Sequence, residues 1–316
     1  MHRALLSLGV VVLTAYLLAR KKRNQGRLRH VPAQGEKVLI FGCSSGIGKA
    51  LALTYAQRGA KLVLVARRQA LLTTLAEECQ SLGAVFAWGL AGDVTDVASM
   101  EKVVKEASVR FEGMVDTVVY CAGAISVRPF MDSSGIKVSG KQVVVDKEQG
   151  QEADRALHAI TTINYFAAVH TTRLVLPMLL ASSGQPNLMV ISSMAGKVGA
   201  PTRAMYSGSK HAVHGFFDSL RVEMVPFNIH VGLVCPGTVD TELRQSAVDL
   251  GSGSSSEIAG TTKGKLSPQA VADRILLASD RREREVYIPS YYYWALWVAR
   301  SWIDALAQRK YRQKDS

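Results

Sequence analysis

From Glu36 onward, apolar runs of strand length alternate with stretches of helical periodicity, and no other feature of the chain limits its fold so strongly. Strands that are apolar on both faces must be covered on both, so the pattern calls for a parallel sheet wrapped by helices. Lys37 to Phe41 (KVLIF) reads as the first strand, Gly46 to Arg58 as a helix, and Lys61 to Ala66 (KLVLVA) as the second strand. Further strands are expected at Val85 to Trp88, Val115 to Tyr120, Leu188 to Ile191, His230 to Val234 and Val286 to Ile288. Seven or more strands with intervening helices make a single doubly wound α/β domain rather than two small ones, and no internal repeat is visible.

Two segments break the rhythm. Met131 to Gly150 is polar and rich in Gly and Lys, and reads as a long surface loop or small hairpin. Arg244 to Leu266, with Gly251-Ser252-Gly253-Ser254-Ser255-Ser256 inside it, reads as a flap where a substrate enters.

Charge distribution excludes one class of partner. Of the formal net charge of +12, seven units come from residues 1–30 (Arg3, Arg20, Lys21, Lys22, Arg23, Arg27 and Arg29, with no acid) and three from residues 300–316, leaving +2 for the central 269 residues. A nucleic-acid binder needs its folded domain to be basic, and this one is not. Basic ends beside apolar sequence point to a membrane instead. Cys43, Cys79, Cys121 and Cys235 lie too far apart for a zinc knuckle or disulfide framework, so no metal site is expected.

Ala4 to Ala19 is an uncharged run of sixteen residues, about 24 Å as a helix, with Arg3 and Arg20 placed to snorkel. The Arg20-Lys21-Lys22-Arg23 run and the lack of an Ala-x-Ala site argue for an uncleaved transmembrane helix rather than a signal peptide. The heavier positive flank lies downstream, which puts the remaining chain in the cytosol. An endoplasmic reticulum membrane is expected, with peroxisomal or lipid-droplet membranes as alternatives. At the other end, Tyr291 to Trp302 concentrates three of the four Trp and is followed by Arg309, Lys310, Arg312 and Lys314, which suits a second, peripheral membrane contact. The division is therefore an anchor and basic flank over 1–30, a catalytic domain over 35–290 and a membrane-associating segment over 291–316.

Gly42-Cys43-Ser44-Ser45-Gly46-Ile47-Gly48 follows an expected strand and opens an expected helix. Such a turn lets backbone N–H groups approach a pyrophosphate, which the positive end of the helix stabilises. At the end of the second strand stand Arg67 and Arg68, with no acid before Glu77. A carboxylate there would hold a ribose 2′-hydroxyl, whereas two arginines neutralise a 2′-phosphate, so NADP(H) is preferred over NAD. Asp93 and Val94, after the third strand, suit the adenine rim.

Tyr206 and Lys210 are one helical turn apart, and an ammonium beside a phenol lowers its pKa and makes it a general acid or base. Ser193 ends a strand thirteen residues earlier, placed to bond a substrate oxygen, and Asn164 is placed to hold a water for a relay through Lys210. Pro236, Gly237 and Thr238 offer a rigid turn with a hydroxyl for the nicotinamide carboxamide.

Taken in this order, the residues resemble the short-chain dehydrogenase/reductase family over roughly 35 to 290. The resemblance implies a Rossmann-type fold, an NAD(P) site that includes Ala122 and Gly123, and a catalytic tetrad of Asn164, Ser193, Tyr206 and Lys210, with Ser193 preferred over Ser192 by the family's Ser-to-Tyr spacing. It also implies a homo-oligomer, which an anchor can alter. Ser209-Lys210-His211-Ala212, the run Phe216 to Met224 and the amino-terminal anchor are similar to the dehydrogenase/reductase member 7B group, which includes acyl- or alkyl-dihydroxyacetone phosphate reductases; hydroxysteroid dehydrogenases are more distant. Phe41 stands where that family has Thr, and Tyr120-Cys121 where it has Asn-Asn, which puts the bonds steadying the central strand in doubt. The expectation is a membrane-anchored NADPH-dependent reductase of a lipid-like ketone. The alternatives are a steroid, retinoid or 3-keto-lipid enzyme, or a non-catalytic NADP-binding membrane scaffold.

Overall fold

The computed structural model describes residues 26–182, 184–250 and 264–296. The expected anchor, most of the expected flap and the chain beyond residue 296 lie outside the described residues. In chain order the elements are α1 (Arg27–His30), β1 (Lys37–Phe41), α2 (Gly46–Gln57), β2 (Lys61–Ala66), α3 (Gln69–Ser81), β3 (Phe86–Ala91), α4 (Val97–Arg110), β4 (Thr117–Tyr120) and α5 (Phe130–Ser133). They continue with β5 (Ile136–Ser139), β6 (Gln142–Val145), α6 (Lys147–Thr161), a π-turn (Thr162–Phe166), α7 (Ala167–Leu180), β7 (Asn187–Ile191), α8 (Ala204–Glu223), β8 (His230–Pro236), α9 (Pro268–Asp280) and β9 (Glu285–Ile288).

Seven strands form one parallel sheet in the order β3-β2-β1-β4-β7-β8-β9, as the alternation predicts. Central strands are buried on both faces, which is why they read as unbroken apolar runs. Helices on either face build two core layers, one around Leu51, Tyr55 and Ile275 and the other around Phe111, Val175 and Phe217. Helix starts follow side-chain chemistry: Asp96 accepts from Ala98 N at 3.0 Å, and Ser267 accepts from Ala270 N with Pro268 next in line. Strand order reverses between β1 and β4, so the loops after β1, β4, β7 and β8 converge on one edge of the sheet.

Three expectations need adjustment. β3 runs on to Ala91 instead of ending at Trp88, because backbone pairing with β2 (Lys61↔Phe86 to Ala66↔Ala91), not apolar content, sets its length. The interruption at 131–150 contains the antiparallel β5–β6 hairpin, paired from Ile136↔Val145 to Ser139↔Gln142. Arg27, counted with the membrane flank, is 1% exposed and lies inside the catalytic domain. It donates to Glu36 Oε1 at 2.9 Å, Thr117 Oγ1 at 2.7 Å and the Gln185 carbonyl at 3.0 Å, while Arg58 holds the other Glu36 oxygen at 2.8 Å. A buried carboxylate is tolerated because two guanidiniums and a hydroxyl surround it. Chain entering at residue 26 is thus tied to the edge of the sheet opposite the converging loops.

Candidate active site

The glycine loop is built for close approach. Gly42 has φ +82°, and a Cβ there would meet Ala122 N at 2.5 Å; a Cβ on Gly48 would meet the Gly42 carbonyl oxygen at 2.2 Å. Ser45 is the N-cap of α2 but its side chain caps nothing, so N–H groups at Gly46, Ile47 and Gly48 are turned to the loop's mouth. Arg68 Nη2 donates to Ser44 Oγ at 3.0 Å, joining the end of β2 to this loop. Arg67 is exposed beside it. Asp93 accepts from the backbone and hydroxyl of Thr95 at 2.9 and 2.8 Å, so its carboxylate forms a local turn, with Val94 buried behind it.

At the same edge, Tyr206, Ser209, Lys210, Val213, His214 and Phe217 form the buried stripe of α8. Helical spacing therefore does more than pair Tyr206 with Lys210: it turns both inward. Ser126 Oγ accepts from Tyr206 N at 3.2 Å and satisfies one of the donors at the start of the helix. The Ser193 hydroxyl lies near enough to the Tyr206 phenol to favour its ionised form. The neighbouring Ser192 is 3% exposed and its hydroxyl makes no hydrogen bond among the described residues.

Lys210 Nζ donates to the Ile191 carbonyl at 2.9 Å and lies 5.9 Å from the Tyr206 ring centre. Burial lowers its pKa to about 8. The expectation that Lys210 depresses the Tyr206 pKa is corrected here. Burial raises that pKa, opposed by the Ser193 hydroxyl and then by the Arg203 guanidinium, and the lysine is aimed at a strand carbonyl rather than at the phenol oxygen. Arg203, one turn before Tyr206, is itself 8% exposed, with its pKa lowered to about 10 by burial and by the Arg244 charge.

Asn164 sits in the π-turn between α6 and α7, a distortion common at functional sites. Its Oδ1 accepts from Ala124 N at 2.8 Å, and its Nδ2 donates to the Ala124 carbonyl at 3.0 Å and Ser209 Oγ at 2.9 Å. Both amide hydrogens and one Oδ1 lone pair are taken, so the side chain clamps the β4 loop to α8 and only the second Oδ1 lone pair is left for a water. A Cβ on Gly123 would stand 3.0 Å from Asn164 Oδ1 and 3.7 Å from Lys210 Nζ, so the three share one wall. Pro236 ends β8, Tyr292 covers Gly237, and Arg244 donates to Thr238 Oγ1 at 3.2 Å.

Around Tyr206 the walls are apolar: Ile125, Val127, Ile160, Met205 and Ala247, with Leu243, Val248 and Leu250 beside them. Asp249 ties the post-β8 loop to these walls by accepting from Val127 N at 2.8 Å and Arg128 N at 2.7 Å. Sequence reading missed Asp249, Ser126 and Ser209, whose partners are 122, 80 and 45 residues away. Beneath the site, His214, Cys235 and Glu285 bring their ligand atoms within 4.8 Å of one another, and Lys197 already pairs with Glu285.

The short chain dehydrogenase profile matches residues 36–249, which include the glycine loop, Asn164, Ser193, Tyr206 and Lys210. The chain belongs to the short-chain dehydrogenase family. It is 33% identical over 301 residues to the dehydrogenase/reductase SDR family protein 7-like of Anopheles gambiae, with 92% of this chain and 86% of that one covered. It is 32% identical over 283 residues to 11-beta-hydroxysteroid dehydrogenase A of Sesamum indicum, covering 86% and 74%. Among solved structures, a short chain dehydrogenase of Burkholderia cenocepacia in complex with NADP superposes with TM-score 0.66 at 20% identity, covering 87% of this chain and 98% of that one. This short-chain dehydrogenase is thus an oxidoreductase acting on alcohol or ketone groups. Its departure at Tyr120 has a local compensation: the hydroxyl donates to the Ile163 carbonyl in the π-turn at 2.8 Å, so a phenol now ties the central strand to the segment that holds Asn164.

Proposed function

We propose that this short-chain dehydrogenase is an NADPH-dependent reductase of lipid-like ketones, held at a membrane by residues 4–19, with 1-acyl- or 1-alkyl-dihydroxyacetone phosphate as its preferred substrate. The carrying observation is the placement of Tyr206 and Lys210 on one buried stripe of α8, with the Ser193 hydroxyl near enough to favour the Tyr206 phenolate, on the sheet edge where the glycine loop opens. The residues fit a dinucleotide: Gly42 and Gly48 leave no room for side chains, the start of α2 presents uncapped N–H groups, and Arg68 with Ser44 stands where a 2′-phosphate would need a cation. When bound, NADPH supplies the hydride. Tyr206, kept protonated by burial, gives its proton to the carbonyl oxygen, and Ser193 donates to that same oxygen. The Ser193 hydroxyl and the Arg203 charge favour the phenolate left behind, and Lys210, charged below about pH 8, orients the nucleotide ribose.

Apolar walls around Tyr206 favour a lipid-like chain on the ketone. Arg203, whose charge the neighbouring Arg244 disfavours, would gain from an anionic headgroup such as phosphate. Steroid or retinoid ketones would use the walls but not the arginines. Among the described residues no helix is long and apolar enough to cross a membrane, so the anchor rests on the sequence of residues 4–19. The endoplasmic reticulum, with the catalytic domain in the cytosol, is the favoured location.

Purified protein supplied with NADPH and a panel of lipid ketones tests the reading, with the products identified. Tyr206→Phe should lower turnover by about 10²–10⁴-fold while leaving nucleotide binding intact. Equal activity of the variant and parent, or no turnover with either nucleotide, would overturn it.

A further inference from the structure

The β5–β6 hairpin is not used by the chemistry described above, and it has an unusual surface. Every residue from Lys137 to Glu148 is exposed, so the strand pair stands away from the domain. Residues opposite one another in an antiparallel pair share a face, which puts Ile136, Val145, Val138 and Val143 on one side. Val138, Val143 and Val145 are 56%, 62% and 60% exposed. At the base of the arm, Phe130 and Met131 on α5 extend the apolar surface. A lone two-stranded hairpin is marginal in water, and a continuous apolar face of this kind marks a contact surface.

Charge selects the contact. Between Ser133 and Val145 the ionisable groups are Lys137 and Lys141, with no acid. Asp146, which follows, is taken up as the cap of α6, accepting from Glu148 N and Gln149 N. Apolar β-branched side chains flanked by lysines match an anionic lipid surface: valines enter the acyl boundary while ammonium groups meet phosphates. A second copy fits less well, since edge pairing of two such hairpins would bring like-charged lysines together. The placement agrees. The hairpin lies in the connection leaving the C-terminal end of β4, and the turn carrying exposed Tyr291, Tyr293 and Trp294 leaves the C-terminal end of β9. Both rise from the edge on which Tyr206 and Ser193 open.

We propose that the β5–β6 hairpin is a membrane-contact arm, with its Ile136, Val138, Val143 and Val145 face inserting at the surface of an anionic bilayer and Lys137 and Lys141 binding lipid phosphate groups. The arm holds the mouth of the site against the lipid, so that an apolar substrate passes from bilayer to pocket without crossing water. The membrane contact itself depends on neither the reaction nor the span at residues 4–19, while the substrate route rests on the lipid-like substrate proposed above.

The full chain carrying Val143→Cys, labelled with a polarity-sensitive fluorophore, tests it on phosphatidylcholine vesicles with and without phosphatidylserine. Cys43, Cys79 and Cys235 are buried and Cys121 half-buried, so replacing Cys121 with Ser leaves one accessible site among the described residues. The expected result is a blue shift with phosphatidylserine, protection from an aqueous quencher and quenching by a nitroxide in the lipid chains. High salt or Lys137→Glu with Lys141→Glu should reverse all three while the chain still floats with the vesicles. A probe at Val109→Cys, on α4, should remain open to the aqueous quencher throughout. If the chain floats with anionic vesicles while the Val143 probe stays fully open, the arm is refuted and the anchor stands. A blue shift that grows with protein concentration without lipid also refutes it, in favour of a second copy. If the chain floats with neither vesicle, both the span and the arm fail.

Discussion

Removing Arg27 tests whether the segment following the expected anchor is part of the catalytic domain. In Arg27→Met, Glu36 loses one of its two guanidinium partners and Thr117 loses a donor, but Arg58 remains 2.8 Å from the second Glu36 oxygen and the Thr117 hydroxyl 2.7 Å from the first. Breaking a buried ion pair from one side costs about 3–5 kcal/mol, and the surviving partners place this variant near 3 kcal/mol. Glu36→Gln is expected to be worse, near 5 kcal/mol, because it leaves the buried Arg27 and half-buried Arg58 guanidiniums facing a neutral amide with only Asp280 nearby, 2.9 Å from Arg58 and 3.7 Å from Arg27. Denaturant midpoints of the full chain in nonionic detergent would give both values, and trypsin cleavage after Arg29 should accelerate in Arg27→Met. A loss below about 1 kcal/mol for Arg27→Met, within the range of an exposed ion pair, would show that the segment is not docked. Finding Glu36→Gln the milder change would refute the account of how the network is balanced.

Other consequences are accessible to simpler measurements. Gly48→Ala, whose Cβ would stand 2.2 Å from a backbone carbonyl oxygen, should abolish NADPH binding measured by nucleotide fluorescence; unchanged affinity would remove the glycine loop from the site. Tyr120→Phe leaves the Ile163 carbonyl without its donor and should cost about 1–3 kcal/mol in unfolding free energy, with a parallel fall in turnover as Asn164 loosens. Lys210 loses its charge as pH rises through about 8, so reduction should fall with a single-proton slope there, and a flat profile up to pH 10 would be contrary. Its folded pKa lies below the unfolded one, so this group's contribution to stability should grow as pH climbs from about 8 towards 10.5.

The sequence by itself determined the layers and the place of the chemistry. Strands buried on both faces must be apolar throughout, which made the central strands legible in order and β1 and β2 legible to the residue, whereas the half-exposed edge strand β3 was legible only in its first residues. Glycines confined by neighbouring backbone marked the phosphate loop, and helical spacing marked Tyr206 and Lys210. Tertiary structure alone decided what each group touches. Lys210 reaches the Ile191 carbonyl, Asn164 spends its amide on Ala124 and Ser209, and Arg27 leaves a run of membrane-flanking charges to neutralise Glu36. The physical reason is one of range. Burial and periodicity act over a few residues and leave their pattern in the chain, whereas hydrogen-bond partners and pKa shifts depend on groups on other elements, 19 residues apart for Lys210 and Ile191 and 45 for Asn164 and Ser209, which meet only once the sheet is assembled.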